Sequence, residues 1–241
     1  MQFGKPHNYI LILYFWLELP IFVALSYKQY LDKMKTFENW THEEVETTFN
    51  IEEVETLALL EDWISADIEA NEHEKYVLTK MKKHLFQRVG SWQEDELKLF
   101  FIGPLVELAD IENGMFKAFT QRNFSAEING IEVGGKVDFM LAKGKQKPST
   151  PYFCLHEYKQ ENRRENDPLG QVLIAMVAAQ HLNENEMPIL GAYISGRSWF
   201  FLILSGKEYA RSNAFNASND DIFRIFAILK KSKLLIEAFY K

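Results

Sequence analysis

The chain has 241 residues, 47% hydrophobic and 25% charged, which is enough for one substantial core and excludes a disordered or low-complexity protein. A single cysteine, Cys154, excludes an internal disulfide, and no Cys/His spacing matches a zinc site, so a reducing, cytoplasmic setting is expected. The net charge of −7 argues against a uniformly basic nucleic-acid binder, but it is uneven: residues 1–120 hold 11 basic and 21 acidic side chains, a net of −10, whereas residues 121–241 hold 16 and 13, a net of +3.

Residues 9–27 are apolar or aromatic except for Glu18, Pro20 and Ser26. The length suits a membrane helix, but an acid and a proline near the middle do not suit a lipid-facing span, and Lys5 alone is a weak positive end for a secretory signal. Membrane association is therefore not expected. Met34 opens a segment of ordinary composition and is a candidate start of translation, which would leave 1–33 outside the native product.

Residues 34–90 read as a helical extension of three short amphipathic helices. Thr41-His42-Glu43-Glu44 and Asn50-Ile51-Glu52-Glu53 have the form of capping boxes, Val77, Met81, Leu85 and Val89 recur every four residues, and Gly90 is placed to stop the third helix. Ser91-Trp92-Gln93-Glu94 is a further box, opening a helix through Leu97, Phe101 and Leu105 that Pro104 should kink. Strand signals follow over 124–133 and 136–142, with Gly134-Gly135 as the turn of a hairpin. The basic loop Lys143-Gly144-Lys145-Gln146-Lys147-Pro148 leads into a strand over 152–159, and a polar stretch with Arg163 and Arg164 ends at Asp167-Pro168, an N-cap and first-turn pair. The helix they start, 169–182, is apolar almost all round and so expected to be buried. Strands over 189–195 and 198–204 share a two-residue turn at Gly196-Arg197, and a long helix begins near Asn219 or Asp220.

Two of these strands carry charges that a buried strand should not: Asp138 in Val137-Asp138-Phe139-Met140-Leu141, and, nineteen residues later, Glu157 with Lys159 in the 152–159 strand. Side chains alternate along a strand, so Glu157 and Lys159 share a face, and His156 points the other way as a core or hydrogen-bonded histidine. Two carboxylates and an amine on neighbouring strands suit a divalent cation held by hard oxygen ligands, with a lysine to stabilise charge or move a proton. Cys154, in the same apolar run, reads as an inert core thiol, and Trp199-Phe200-Phe201 as core rather than a stacking platform.

The order of helix, strand hairpin, charged strand, buried helix, strand, strand and helix, with Asp138 on one strand and Glu157-Tyr158-Lys159 on the next, resembles the PD-(D/E)xK nuclease superfamily. Gln93-Glu94-Asp95-Glu96 with Ile102-Gly103-Pro104-Leu105 is similar to the opening helix of the nuclease domain in type I restriction enzyme motor subunits. The resemblance covers about residues 91–205. It implies an α/β fold with a restriction-endonuclease-like core, a mixed central sheet flanked by helices, in a nuclease domain over 91–241. It also implies a Mg²⁺- or Mn²⁺-dependent endonuclease, a hydrolase of phosphodiesters with DNA as the expected partner, and homodimers are common among such enzymes. Asp138, Glu157, the backbone carbonyl of Tyr158 and Glu94 would be metal ligands, Lys159 the lysine near the attacking water, and Gln171 a site glutamine on the buried helix. Val137 stands in place of the frequent proline, and Ala175 where a tyrosine often follows the glutamine.

Each of these residues also has an ordinary explanation. Glu94 is accounted for as a capping acid, with Glu107 as the alternative first-helix carboxylate, and Gln171 as a partner for a backbone group. Lys143, Lys145, Lys147, Arg163 and Arg164 would contact phosphates, or form a solvated rim. The alternative function is a nuclease-fold binding or regulatory module without turnover, because no DNA-recognition, helicase or methyltransferase motif is present.

Overall fold

Local chemistry sets most element boundaries in the described residues, which are 35–161, 167–185 and 187–239 of this computed structural model. The apolar 9–27 stretch, the Met34 start, Arg163 and Arg164 lie outside them. After a short strand β1 (Lys35–Thr36) and a 3-10 turn, Thr41 closes its capping box on Glu44 and opens α1 (His42–Phe49). The second box does not form: Asn50 is the left-handed C-cap of α1 (φ 52°), and Glu52–Glu53 is a short strand, β2. Asparagine tolerates that backbone conformation, so it can end a helix as well as begin one. The box that does form next is Asn71 with Glu74, heading α3 (Glu72–Arg88) after α2 (Ala58–Ile64). Gly90 is not a C′ glycine, because Val89–Ser91 continues α3 as a 3-10 turn.

The helix that Ser91 should cap is capped two residues later. Gln93 is its N-cap and its N–H donates to Glu96 Oε2 at 2.8 Å, so Glu96 is the capping acid and Glu94 is left free for another role. The helix runs as α4 (Glu94–Leu97), a π turn (Lys98–Ile102) and α5 (Gly103–Ala109). Pro104 explains the wide turn. It has no N–H and its ring crowds the carbonyl one turn back, and the chain accommodates it by looping out, with Gly103 N–H bonded to Lys98 O.

The long hairpin turns at Asn129-Gly130, not at Gly134-Gly135. Both turn residues have positive φ (53° and 79°), the combination for which Asn-Gly is favoured, and they join β3 (Lys117–Ile128) to β4 (Ile131–Lys143). β5 (Ser149–Lys159) returns beside β4, α6 (Pro168–Asn183) crosses over, and β6 (Ile189–Ser195) and β7 (Ser198–Ser205) form the second hairpin. β8 (Glu208–Arg211), β9 (Phe215–Asn216) and α7 (Asp221–Phe239) complete the order.

The result is an α/β protein with a mixed sheet flanked by helices. The strands lie in the order β4-β5-β6-β7-β8-β2, with β3 on β4 and β9 on β7; β5–β6 and β8–β2 are parallel and the other pairs antiparallel. One face packs Met140, Leu155 and Leu202 against α6 and α1. The other packs Leu141, Ile194 and Phe201 against α2, α5 and α7. Residues 36–241 form one compact unit, to which the 36–90 segment gives an edge strand and helices on both faces. The approach of α1 to α6 needs a glycine: a Cβ at Gly170 would lie 2.4 Å from Trp40 O. Among the described residues no helix is long and apolar enough to cross a membrane.

Candidate active site

Asp138 lies where the sheet is irregular on both sides. The β4–β5 register ends with Phe139 opposite His156, one level short of Asp138 and Glu157. On the β3 side, Thr120 pairs with Phe139 and Arg122 with Val137, and Gln121 between them is left-handed (φ 54°), an uncommon conformation for a residue with a side chain. Val137 and Phe139 pack into different cores, although two-residue spacing in a regular strand keeps side chains on one face. The backbone donor left over on β5 is taken up by the aspartate: Tyr158 N–H donates to Asp138 Oδ2 at 2.8 Å.

The other oxygen of Asp138 accepts twice. Gln121 Nε2 donates to Oδ1 at 2.6 Å, and Lys98 Nζ donates to it at 2.7 Å while also donating to Glu94 Oε1 at 2.5 Å. Lys98 thus joins the end of α4 to β4 across forty residues of sequence. Burial opposes its charge, and the two carboxylates overcome that and hold its pKa above the ordinary lysine value. Side-chain exposure rises from 9% at Asp138 to 28% at Glu94, so the cluster opens to solvent on the α4 side.

Glu157 and Lys159 project from β5 on the face of Leu155, towards α6, and are joined by a 2.6 Å ion pair. Burial, and then the Asp138 charge, push the Glu157 carboxyl well above the usual carboxylate range, against the opposing effect of Lys159. Gln171 is buried in the first turns of α6, the helix over this face. Its Oε1 has no hydrogen-bond partner among the described residues.

Other expected participants are placed differently. Glu107 is exposed on α5, so Glu94 is the first-helix acid that the structure brings to Asp138. Lys143, Lys145 and Lys147 are exposed at the far end of the sheet: Lys143 pairs with Ser149, ten residues along β5 from Lys159. At about 3.3 Å per residue that is roughly 33 Å, so these lysines do not line the site. At the near end, Arg197 in the β6–β7 turn is held by Glu161. His156 is buried in the opposite core, between Cys154 and Tyr158. Two participants, Lys98 and Gln121, had no sequence signal beyond being polar. Lys98 reads as an i,i+4 partner of Glu94 on a solvated helix, and Gln121 as one of several polar residues in an exposed strand.

The donor set suits a hard divalent cation that keeps part of its water. Asp138 and Glu157 are buried carboxylates close enough for the Asp138 charge to raise the Glu157 pKa, which a cation would relieve. Among the described residues no three His, Cys, Asp or Glu side chains converge on one point, and the Lys98 ammonium bonds to both Glu94 and Asp138. Mg²⁺ commonly takes only one or two protein carboxylates. No protein-family model matches the chain, and no curated protein is similar enough to count as a match.

Proposed function

We propose that this chain is a metal-dependent nuclease, hydrolysing phosphodiesters with DNA as the expected substrate, on a restriction-endonuclease-like core. The observation that carries the proposal is the meeting of Asp138, Glu157 and Lys159 at the level where β4 and β5 stop pairing. The order α4–α5, β3, β4, β5, α6, β6, β7 supports the same reading.

Asp138, Glu157 and the Tyr158 carbonyl would hold Mg²⁺ or Mn²⁺, with Glu94 reaching the same ion or its waters. When bound, the cation supplies positive charge against the phosphate and acidifies a water molecule. The chain's own residues do the rest. Tyr158 N–H and Gln121 fix the Asp138 carboxylate so that it need not reorganise. Lys159, held at 2.6 Å from Glu157, presents an ammonium to the charge that builds up on the phosphoryl oxygens and orients the attacking water.

The test is incubation of the full chain with single- and double-stranded DNA and RNA in Mg²⁺ or Mn²⁺, beside Asp138→Ala and Lys159→Ala. Metal-dependent cleavage lost in both variants supports the proposal; cleavage equal to wild type in either would assign it to a contaminant. No cleavage of any substrate, with metal still bound, would instead favour the module without turnover.

A further inference from the structure

We infer that Lys98 is an internal counter-cation that competes with the divalent metal for Asp138 and Glu94, and thereby sets the metal affinity of the site. The inference rests on the metal-site reading above and adds a role for a residue outside the Asp-Glu-Lys set.

It follows from counting lone pairs. A carboxylate has about four acceptor positions, and Asp138 already uses three, for Tyr158 N–H, Gln121 Nε2 and Lys98 Nζ. Both positions of Oδ1 are filled, so a metal that takes Oδ1, the oxygen that Lys98 links to Glu94, meets Gln121 and Lys98. Gln121 can turn its amide and offer oxygen to a cation. Lys98 has three donors and no acceptor, carries the same sign as the metal, and must leave. It has a way out, since it starts the π turn on the partly exposed side of the cluster, with Leu99 and Phe100 exposed next to it. Its departure also frees Glu94, whose Oε1 it holds at 2.5 Å. Lys159 differs: it is paired with Glu157 on its own strand.

The experiment is calorimetric titration of the full-length protein with Mn²⁺, for wild type, Lys98→Met, Lys98→Arg and Lys98→Met with Asp138→Asn. Removing the charge should tighten Mn²⁺ binding by about tenfold or more. Lys98→Arg should bind no more tightly than wild type, and Asp138→Asn should erase the gain. If Lys98→Met melts below the assay temperature, Lys98→Gln replaces it, keeping a donor without the charge. Unchanged or weaker binding in the neutral variants, with wild type still binding, would overturn the competition and make Lys98 a positioning residue while leaving the metal site standing. Absence of Mn²⁺ binding in wild type and neutral variants alike would overturn both.

Discussion

The two faces of β5 solve the problem of an ionisable group in a buried strand in opposite ways. On one face Cys154, His156 and Tyr158 form a row: Cys154 Sγ lies 3.3 Å from His156 Nε2, and His156 Nδ1 lies 3.1 Å from the Tyr158 hydroxyl, with the Phe139 ring stacked on the imidazole. Burial pushes the thiol and the hydroxyl up and the imidazole down to about 3, so all three are neutral at pH 7. On the other face Glu157 and Lys159 have each other, with Asp138 nearby from β4, in a cluster whose outer member, Glu94, is partly exposed. A group that stays charged in a buried strand thus sits where the fold supplies a counter-charge. Where it supplies none, hydrogen bonds and neutrality suffice.

The contrast can be broken most sharply on the charged face. Lys159→Ala should reduce metal-dependent cleavage by about 10²–10⁴-fold, the usual range for losing a positioned proton-transfer or charge-stabilising group, with the circular-dichroism melt little changed. A loss of the folded state in step with the loss of cleavage would make Lys159 structural.

On the neutral face the expected effect is on stability. Because His156 has a folded pKa of about 3 against an ordinary 6.5, the unfolded chain takes up its proton first as pH falls. Its contribution is complete above about pH 6.5 and is lost progressively between there and about pH 3, on the order of 5 kcal/mol in total. Cys154 and Tyr158, both pushed up, stay neutral across that window. Denaturant unfolding at a series of pH values should therefore show a shallower acid limb for His156→Gln than for wild type; parallel curves would sink this account.

Smaller effects lie at the edges of the comparison. Gln121→Ala removes one of three donors to Asp138 and should slow cleavage by roughly fivefold, about 1 kcal/mol. Gln121→Gly loses the same bond but relieves the left-handed backbone, and should be the more stable of the two by about 1 kcal/mol. A reversed order in chemical denaturation would show that the φ of 54° carries no strain. Last, replacing Lys143, Lys145 and Lys147 together with alanine should leave cleavage of a short oligonucleotide within about twofold, since they are roughly 33 Å from Lys159 along β5. A larger loss on the short substrate would mean that they reach the site after all.

Much of this was legible in the residues alone. Alternation along 152–159 put Glu157 and Lys159 on one face and His156 on the other, the apolar run 169–182 declared a buried helix, and Gly196-Arg197 declared a turn. Asn129-Gly130 was equally plain as a turn but was masked by the glycine pair that follows, and Asn50 and Ser91 resembled helix starts because the same residue types also serve at helix ends and in loops.

What the sequence determined by itself, then, was local: the period of each element and the pairing of groups two, three or four residues apart, all of which depend on backbone geometry that every segment carries with it. The tertiary structure decided what meets Asp138. Lys98, Gln121 and Tyr158 come from a π turn, a strand with an irregular residue, and a strand whose ladder has ended, 40, 17 and 20 residues away. That meeting depends on where β4 parts from β5, which is set by the packing of both cores and by the need of each buried N–H for an acceptor.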